Sequence, residues 1–457
     1  MKKWLSVLVA CILLANLNGG NAEEITVTAI DSLYSNWLLE FYPLAEKIVS
    51  KIWPEMTLSP VCAVRMNGPA LLYKHPNPPK SFKSYGKDLY LGSQKELQLF
   101  GGITAEINGI RTAIMVYGDT PREKDEFFAA LFHEMHHVYQ IDEQKKLKFP
   151  NVAFLVTYPE IAENAALMQM ENRTLLRLIF AESVADFKEN IDRFYSLRGR
   201  RKELIGDAYM DYEESEESLE GPAVYYEYRF REAVNKSNEF DNLSRISQFG
   251  RFFLPLMERR CTKNNLRKLK LMTGLCQCLI LDKREPDWKK EYYRSGFSLT
   301  EFFFKKFPAR RVEVSIDSNE LVLSSYFIKL ERQKKRGKFD DFKKQEGIYV
   351  EAHFLSIPRV RSIDPMHMEA IDDTTILHNT LIKLGKGENF LYFPNGGVYC
   401  IIDKNLWINK SLFFFITNKN QLRVENGYIN LNCADKKMKW AGRIIKESNK
   451  QIIIELK

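Results

Sequence analysis

No stretch of this chain restricts its fold and chemistry more than His133-Glu134-Met135-His136-His137. His133 and His137 can meet only if the segment is helical. At 3.6 residues per turn, side chains four apart stand one above the other on a single face, close enough to share one tetrahedral ion. The residues upstream agree. Thr120-Pro121-Arg122-Glu123 reads as a helix start, with threonine as N-cap, proline in the first position and glutamate closing a capping box. An apolar run from Phe127 to Phe132 then leads into the motif. Glu134, beside the pair, is placed to take a proton from an activated water. The chain has 7 histidines in 457 residues, so a chance match of this pattern is expected on the order of once in a hundred such chains. We therefore read His133 and His137 as ligands to Zn2+ and Glu134 as a general base. His136, offset from the pair by part of a turn, reads as a packing residue.

A fold able to hold such a site needs a large core, and 45% hydrophobic residues with 12% aromatics supply one. The length suggests two or three domains. Residues 1–22 have a charged start, an apolar run from Leu5 to Leu17 and a small-residue exit at Asn18 to Ala22, the pattern of a secretory signal peptide. The expected location is therefore periplasmic or extracellular. Nowhere else does an apolar run reach the ~20 residues a spanning helix needs, so no integral membrane segment is expected after signal removal. The net charge of +8 is mild for this length, and the lysine and arginine clusters read as solvated helix faces. No nucleic-acid partner is implied. Past the signal, Cys62, Cys261, Cys276, Cys278, Cys400 and Cys433 remain. They read as mostly buried, with no pairing assigned, and Cys276-Gln277-Cys278 has the wrong spacing for a zinc knuckle.

Hydrophobic periodicity divides the rest of the chain. Residues 23–119 mix a helix, from about Asp31 to Trp53, with short β-type runs at Val61 to Met66, Leu89 to Gly92 and Arg111 to Gly118, and Asn108-Gly109 marks a turn. Residues 120–330 repeat at helical spacing and contain every strong site candidate. A lysine-rich segment at 331–346 reads as a linker or solvated helix, and 347–457 as a separate β-rich domain. The expected class is α+β: an N-terminal α/β subdomain, a mainly helical metal-binding core and a β-rich C-terminal domain.

A catalytic zinc takes three protein ligands and keeps one position open. The histidines after the motif, at 353, 367 and 378, fall in the β-rich region, so a later glutamate is the economical third ligand. Glu163, Glu171, Glu182 and Glu220 compete. The residues themselves favour Glu182, because Asp186 four positions on would share its helical face and could accept the second ring N–H of a ligating histidine.

From about residue 50 onward the chain also resembles an uncharacterised family of exported bacterial proteins with a gluzincin-like helix. The resemblance is carried by Met170-Glu171-Asn-Arg-Thr-Leu175, the arginine-rich Asp192 to Arg201 and Glu220-Gly221-Pro222-Ala223-Val224-Tyr225. It implies that Glu220 binds zinc; Glu171 reads instead as half of a structural ion pair with an arginine. Pro222 departs from the pattern, since proline suits a helix start better than an interior. The resemblance further implies an antiparallel edge strand beside the metal, within Gly101 to Gly118, to hold an extended substrate. It also implies a tyrosine, Tyr225 or Tyr226, donating to the oxyanion.

The expected function is an exported zinc metallopeptidase acting on a peptide or protein substrate. The alternative is a cell-envelope binding protein whose metal site is structural or degenerate. The presence of Glu134 favours the enzyme, because a structural site has no use for a general base.

Overall fold

The computed structural model describes residues 26–65, 68–97, 103–143, 147–151, 154–155, 157–235, 241–364, 368–372, 374–394, 397–402, 409–433 and 436–457. The expected signal peptide, 1–22, lies outside the described residues. The fold is α+β.

Helix α1 (Ala29–Ile52) opens on a capping box in which Thr28 and Asp31 exchange bonds. Asp31 also receives the Tyr117 hydroxyl at 2.8 Å and pairs with Arg65 at 2.9 Å, tying the helix to the first sheet. That sheet contains β1 (Val61–Arg65), β2 (Pro69–Tyr73), β3 (Lys83–Gly86), β4 (Leu89–Ser93), β5 (Ile103–Ile107) and β6 (Ile110–Tyr117). The one-turn helix α2 (Gln94–Leu97) follows β4. The strand order is β3-β4-β2-β1-β6-β5, which leaves β5 at an edge. β5 and β6 form a hairpin in register Ile107↔Ile110, turning through Asn108 and Gly109, both with positive φ as a two-residue turn of this hand requires. β5 and β6 both lie against the motif helix.

That helix, α3, runs from Lys124 to Glu143. It begins later than the sequence suggests. The Arg122 N–H donates to the Tyr34 hydroxyl at 3.2 Å and Asp119 pairs with Arg65, so residues 120–123 stay non-helical. The first intrahelical bond is Phe127 N–H to the Glu123 carbonyl. There follow α4 (Ala162–Phe180), α5 (Val184–Ile205), α6 (Asp207–Asn235), α7 (Asp241–Met257), α8 (Leu266–Arg284), α9 (Trp288–Ser295), α10 (Leu299–Lys306) and α11 (Ser318–Lys343). One hydrophobic core joins α1, one face of the first sheet and these helices, so residues 26–119 pack as part of the helical body. The expected boundary at 330 falls inside α11, which absorbs most of the charged segment.

α6 and α8 cross in unusually close contact. A Cβ on Gly221 would lie 2.7 Å from Gly274 Cα, and one on Gly274 would lie 2.8 Å from the Glu217 carbonyl oxygen. Only glycine at both positions permits this approach. It sets Glu220, one residue before the crossing, at a fixed height against α8.

Among the described residues, twelve strands between Ile348 and Leu456 form the C-terminal sheet, with a core of its own. The C-terminal end of α11 covers part of this sheet, with Phe339 and Phe342 against Tyr399 and Phe415. Among the described residues, Cys62, Cys261, Cys276, Cys278, Cys400 and Cys433 form no disulfide, and all but Cys433 are buried. Among the described residues, no helix is long and apolar enough to cross a membrane.

Candidate metal centre

The helical spacing brings the motif histidines together. His133 Nε2 and His137 Nε2 stand 3.0 Å apart. Glu220, in the middle of α6, directs Oε2 at both, 3.4 Å from His133 Nε2 and 3.6 Å from His137 Nε2. A tetrahedral ion with bonds of about 2.0–2.1 Å separates neighbouring ligand atoms by about 3.3 Å, and these three edges bracket that value. Two imidazoles and one carboxylate are also the borderline donor set that zinc takes in catalytic sites. Among the described residues this is the one group of three such side chains whose ligand atoms converge.

The other candidates lie elsewhere. Glu182 is exposed and precedes Ser183, which caps α5 by accepting from the Asp186 N–H. The Glu182–Asp186 stretch is therefore a helix start rather than the helical face assumed from the sequence, and it does not reach the histidines. Glu163 is exposed in the first turn of α4. Glu171 is buried against Arg201 at 2.7 Å, the ion pair expected of it. Tyr225 follows Glu220 by five residues, which rotates it about 140° around the helix. It is packed against Trp53 and Trp288, with Arg229 and Lys289 over its ring, and is not brought to the centre. Tyr226 stacks on Phe132. His136 packs against Trp53 and meets the Tyr293 hydroxyl at 3.2 Å.

Three residues not singled out in the sequence stand beside the converging side chains. Arg267 of α8 donates to Glu220 Oε1 at 2.6 Å, leaving Oε2 for the histidines. Glu227, two turns beyond Glu220 on the same face of α6, directs Oε2 at His133 Nδ1 from 3.7 Å and is itself paired with Arg231 at 3.1 Å. It occupies the place beside a ligating imidazole that the sequence reading gave to Asp186. Gln140, one turn past His137, meets His137 Nδ1 at 3.1 Å. The spacings from His137 to Gln140 and from Glu220 to Glu227 were visible in the sequence. Nothing local pointed to Arg267.

The electrostatics follow from this enclosure. Burial pulls the His133 imidazolium down, but Glu220 and Glu227 outweigh it, and without metal the pKa is pushed up to about 10. Burial raises the Glu220 carboxyl, yet His133, His137 and Arg267 hold it well below the usual range. Burial raises the Glu134 carboxyl, with His133 and His137 opposing in part. A ligating histidine must be neutral, so an ion bound here would have to displace the His133 proton. Binding at pH 7 is thus expected to release about one proton, with affinity rising about tenfold per pH unit and levelling off near pH 10. In the metal-free protein the stability contributed by His133 runs the other way, being complete below the unfolded pKa of about 6.5 and lost as pH rises through 10. Calorimetry of zinc binding in buffers of different ionisation enthalpy measures the proton count, and a value near zero would contradict this electrostatic picture.

No protein-family profile matches this chain, and neither the curated proteins nor the solved structures contain a match.

Proposed function

We propose that this chain is an exported zinc-dependent hydrolase, of gluzincin type, that cleaves peptide bonds. The convergence of His133 Nε2, His137 Nε2 and Glu220 Oε2 at tetrahedral edge lengths carries this reading. Zinc held there by His133, His137 and Glu220 would supply Lewis acidity toward a water and a carbonyl oxygen. Glu134, next to His133 and with its carboxyl raised, takes the proton of the attacking water and passes it to the leaving amine. Arg267 and Glu227 keep two ligands in place during that exchange. Strand β5, packed beside α3 and with β6 as its one strand neighbour among the described residues, is the edge to which an extended peptide adds as a further strand. Export rests on the N-terminal sequence pattern.

The test is digestion of a mixed peptide library by the purified protein, read by mass spectrometry before chelation, after chelation and after zinc is returned. Cleavage should disappear with the chelator and come back with zinc. Cleavage that survives thorough chelation would overturn the proposal.

A further inference from the structure

Proline inside a helix strips one carbonyl of its partner, because the N–H that would reach back four residues is missing. In α6 the proline is Pro222 and the carbonyl it releases is that of Ser218. A side chain from α3 takes it up: Gln140 Nε2 donates to the Ser218 oxygen at 2.8 Å. The same amide presents Oε1 to His137 Nδ1 at 3.1 Å. Both Gln140 and Ser218 are buried. With its NH2 group committed to the carbonyl, Gln140 offers the ring an oxygen, which can only accept. His137 must then carry its proton on Nδ1. That leaves the lone pair on Nε2, the atom facing His133 and Glu220.

We propose that Gln140 is a positioning residue that sets the tautomer and ring angle of His137, and that Pro222 serves the site by freeing the carbonyl that holds Gln140. The inference rests on the metal-centre reading and adds the parts that prepare one ligand for the ion. It also gives a use to the proline that departs from the family pattern. An imidazole free to rotate or to protonate at Nε2 would have to reorganise before binding, and partners of this kind typically govern metal affinity by 10–100-fold.

The experiment compares wild type with Gln140→Met, Gln140→Glu and Pro222→Ala. Zinc affinity is measured by competition with a chromophoric chelator. The protonated ring nitrogen of His137 is read from 15N spectra of the metal-free protein, and unfolding is followed in parallel. Methionine keeps the volume and neither hydrogen bond. Glutamate keeps an acceptor for the ring but cannot donate to Ser218. Gln140→Met should lose about 10–100-fold in zinc affinity together with the Nδ1–H signature. Gln140→Glu should recover most of the affinity while remaining as easily unfolded as the methionine variant. Pro222→Ala, which returns an N–H to the Ser218 carbonyl, should melt higher yet bind zinc more weakly.

A merely structural role would weaken zinc equally in both Gln140 variants, and that result would overturn the proposal. So would wild-type affinity in Gln140→Met, or a wild-type His137 without a proton on Nδ1. Unchanged affinity in Pro222→Ala would overturn the part given to the proline. Wild-type protein that shows the Nδ1 proton and binds no zinc would sink the metal-centre reading instead.

Discussion

Glu134→Gln is expected to keep its zinc and lose hydrolysis, with kcat falling on the order of 10²–10⁴-fold. The amide retains the shape of the side chain and cannot accept the proton of the attacking water. Glu134 is not one of the three converging ligands, so metal content should match wild type. The decisive readout is the pair of values, zinc per chain and cleavage rate, on one preparation. Equal activity in wild type and variant would remove Glu134 from the mechanism. Loss of zinc along with activity would show instead that the residue holds the metal.

Arg201→Met is expected to cost about 3–5 kcal/mol of stability, because it breaks a buried ionic network by removing one member. Arg201 is fully buried, pairs with Glu171 and Glu213, and also holds Asn164 and the Tyr158 hydroxyl. Lys270 meets Glu213 at 2.7 Å, and Arg198 meets Glu217 at 2.6 Å, with Thr273, Thr300 and Gln277 also donating to Glu217. Three cations thus face three carboxylates across α4, α5, α6 and α8 where none of the charge reaches solvent. Removal of one guanidinium leaves Arg198 and Lys270 to serve three carboxylates. The same network braces the α6 face that presents Glu220 one turn further on, so the variant should also bind zinc less well. Denaturant unfolding followed by helical ellipticity measures the cost, and a loss below about 1 kcal/mol would show that the network relaxes or takes up water.

What could be read from the sequence and what could not divide along a physical line. Features fixed by local spacing were legible. The motif helix, the Asn108-Gly109 hairpin and the change to β-type pattern near Gly347 all rest on periods of a few residues, and each has its counterpart in the structure. The reading of Glu171 as half of an ion pair with an arginine has its counterpart in Arg201. Features fixed by tertiary contact were not legible. The Thr120 capping signal is sound chemistry, but Tyr34 and Arg65, far away in the sequence, claim that segment first. Glu182 looked correct only on the assumption that it lay within a helix; Ser183 followed three residues later by Asp186 was itself a start signal, and it shows where α5 begins. Tyr225 was chosen for nearness in sequence to Glu220, although helical geometry turns a residue five positions on to another face. Glu220 came from resemblance, and what places it is the glycine crossing of α6 with α8, which needs both Gly221 and Gly274.

The central claim is that His133, His137 and Glu220 hold one zinc ion, and metal analysis tests it most directly. Purified protein, dialysed against metal-free buffer after zinc loading, should retain close to one zinc per chain. Glu220→Ala and His137→Ala should each retain almost none, while Glu182→Ala should match wild type. Metal-free wild type, or zinc kept in Glu220→Ala and lost in Glu182→Ala, would contradict the account.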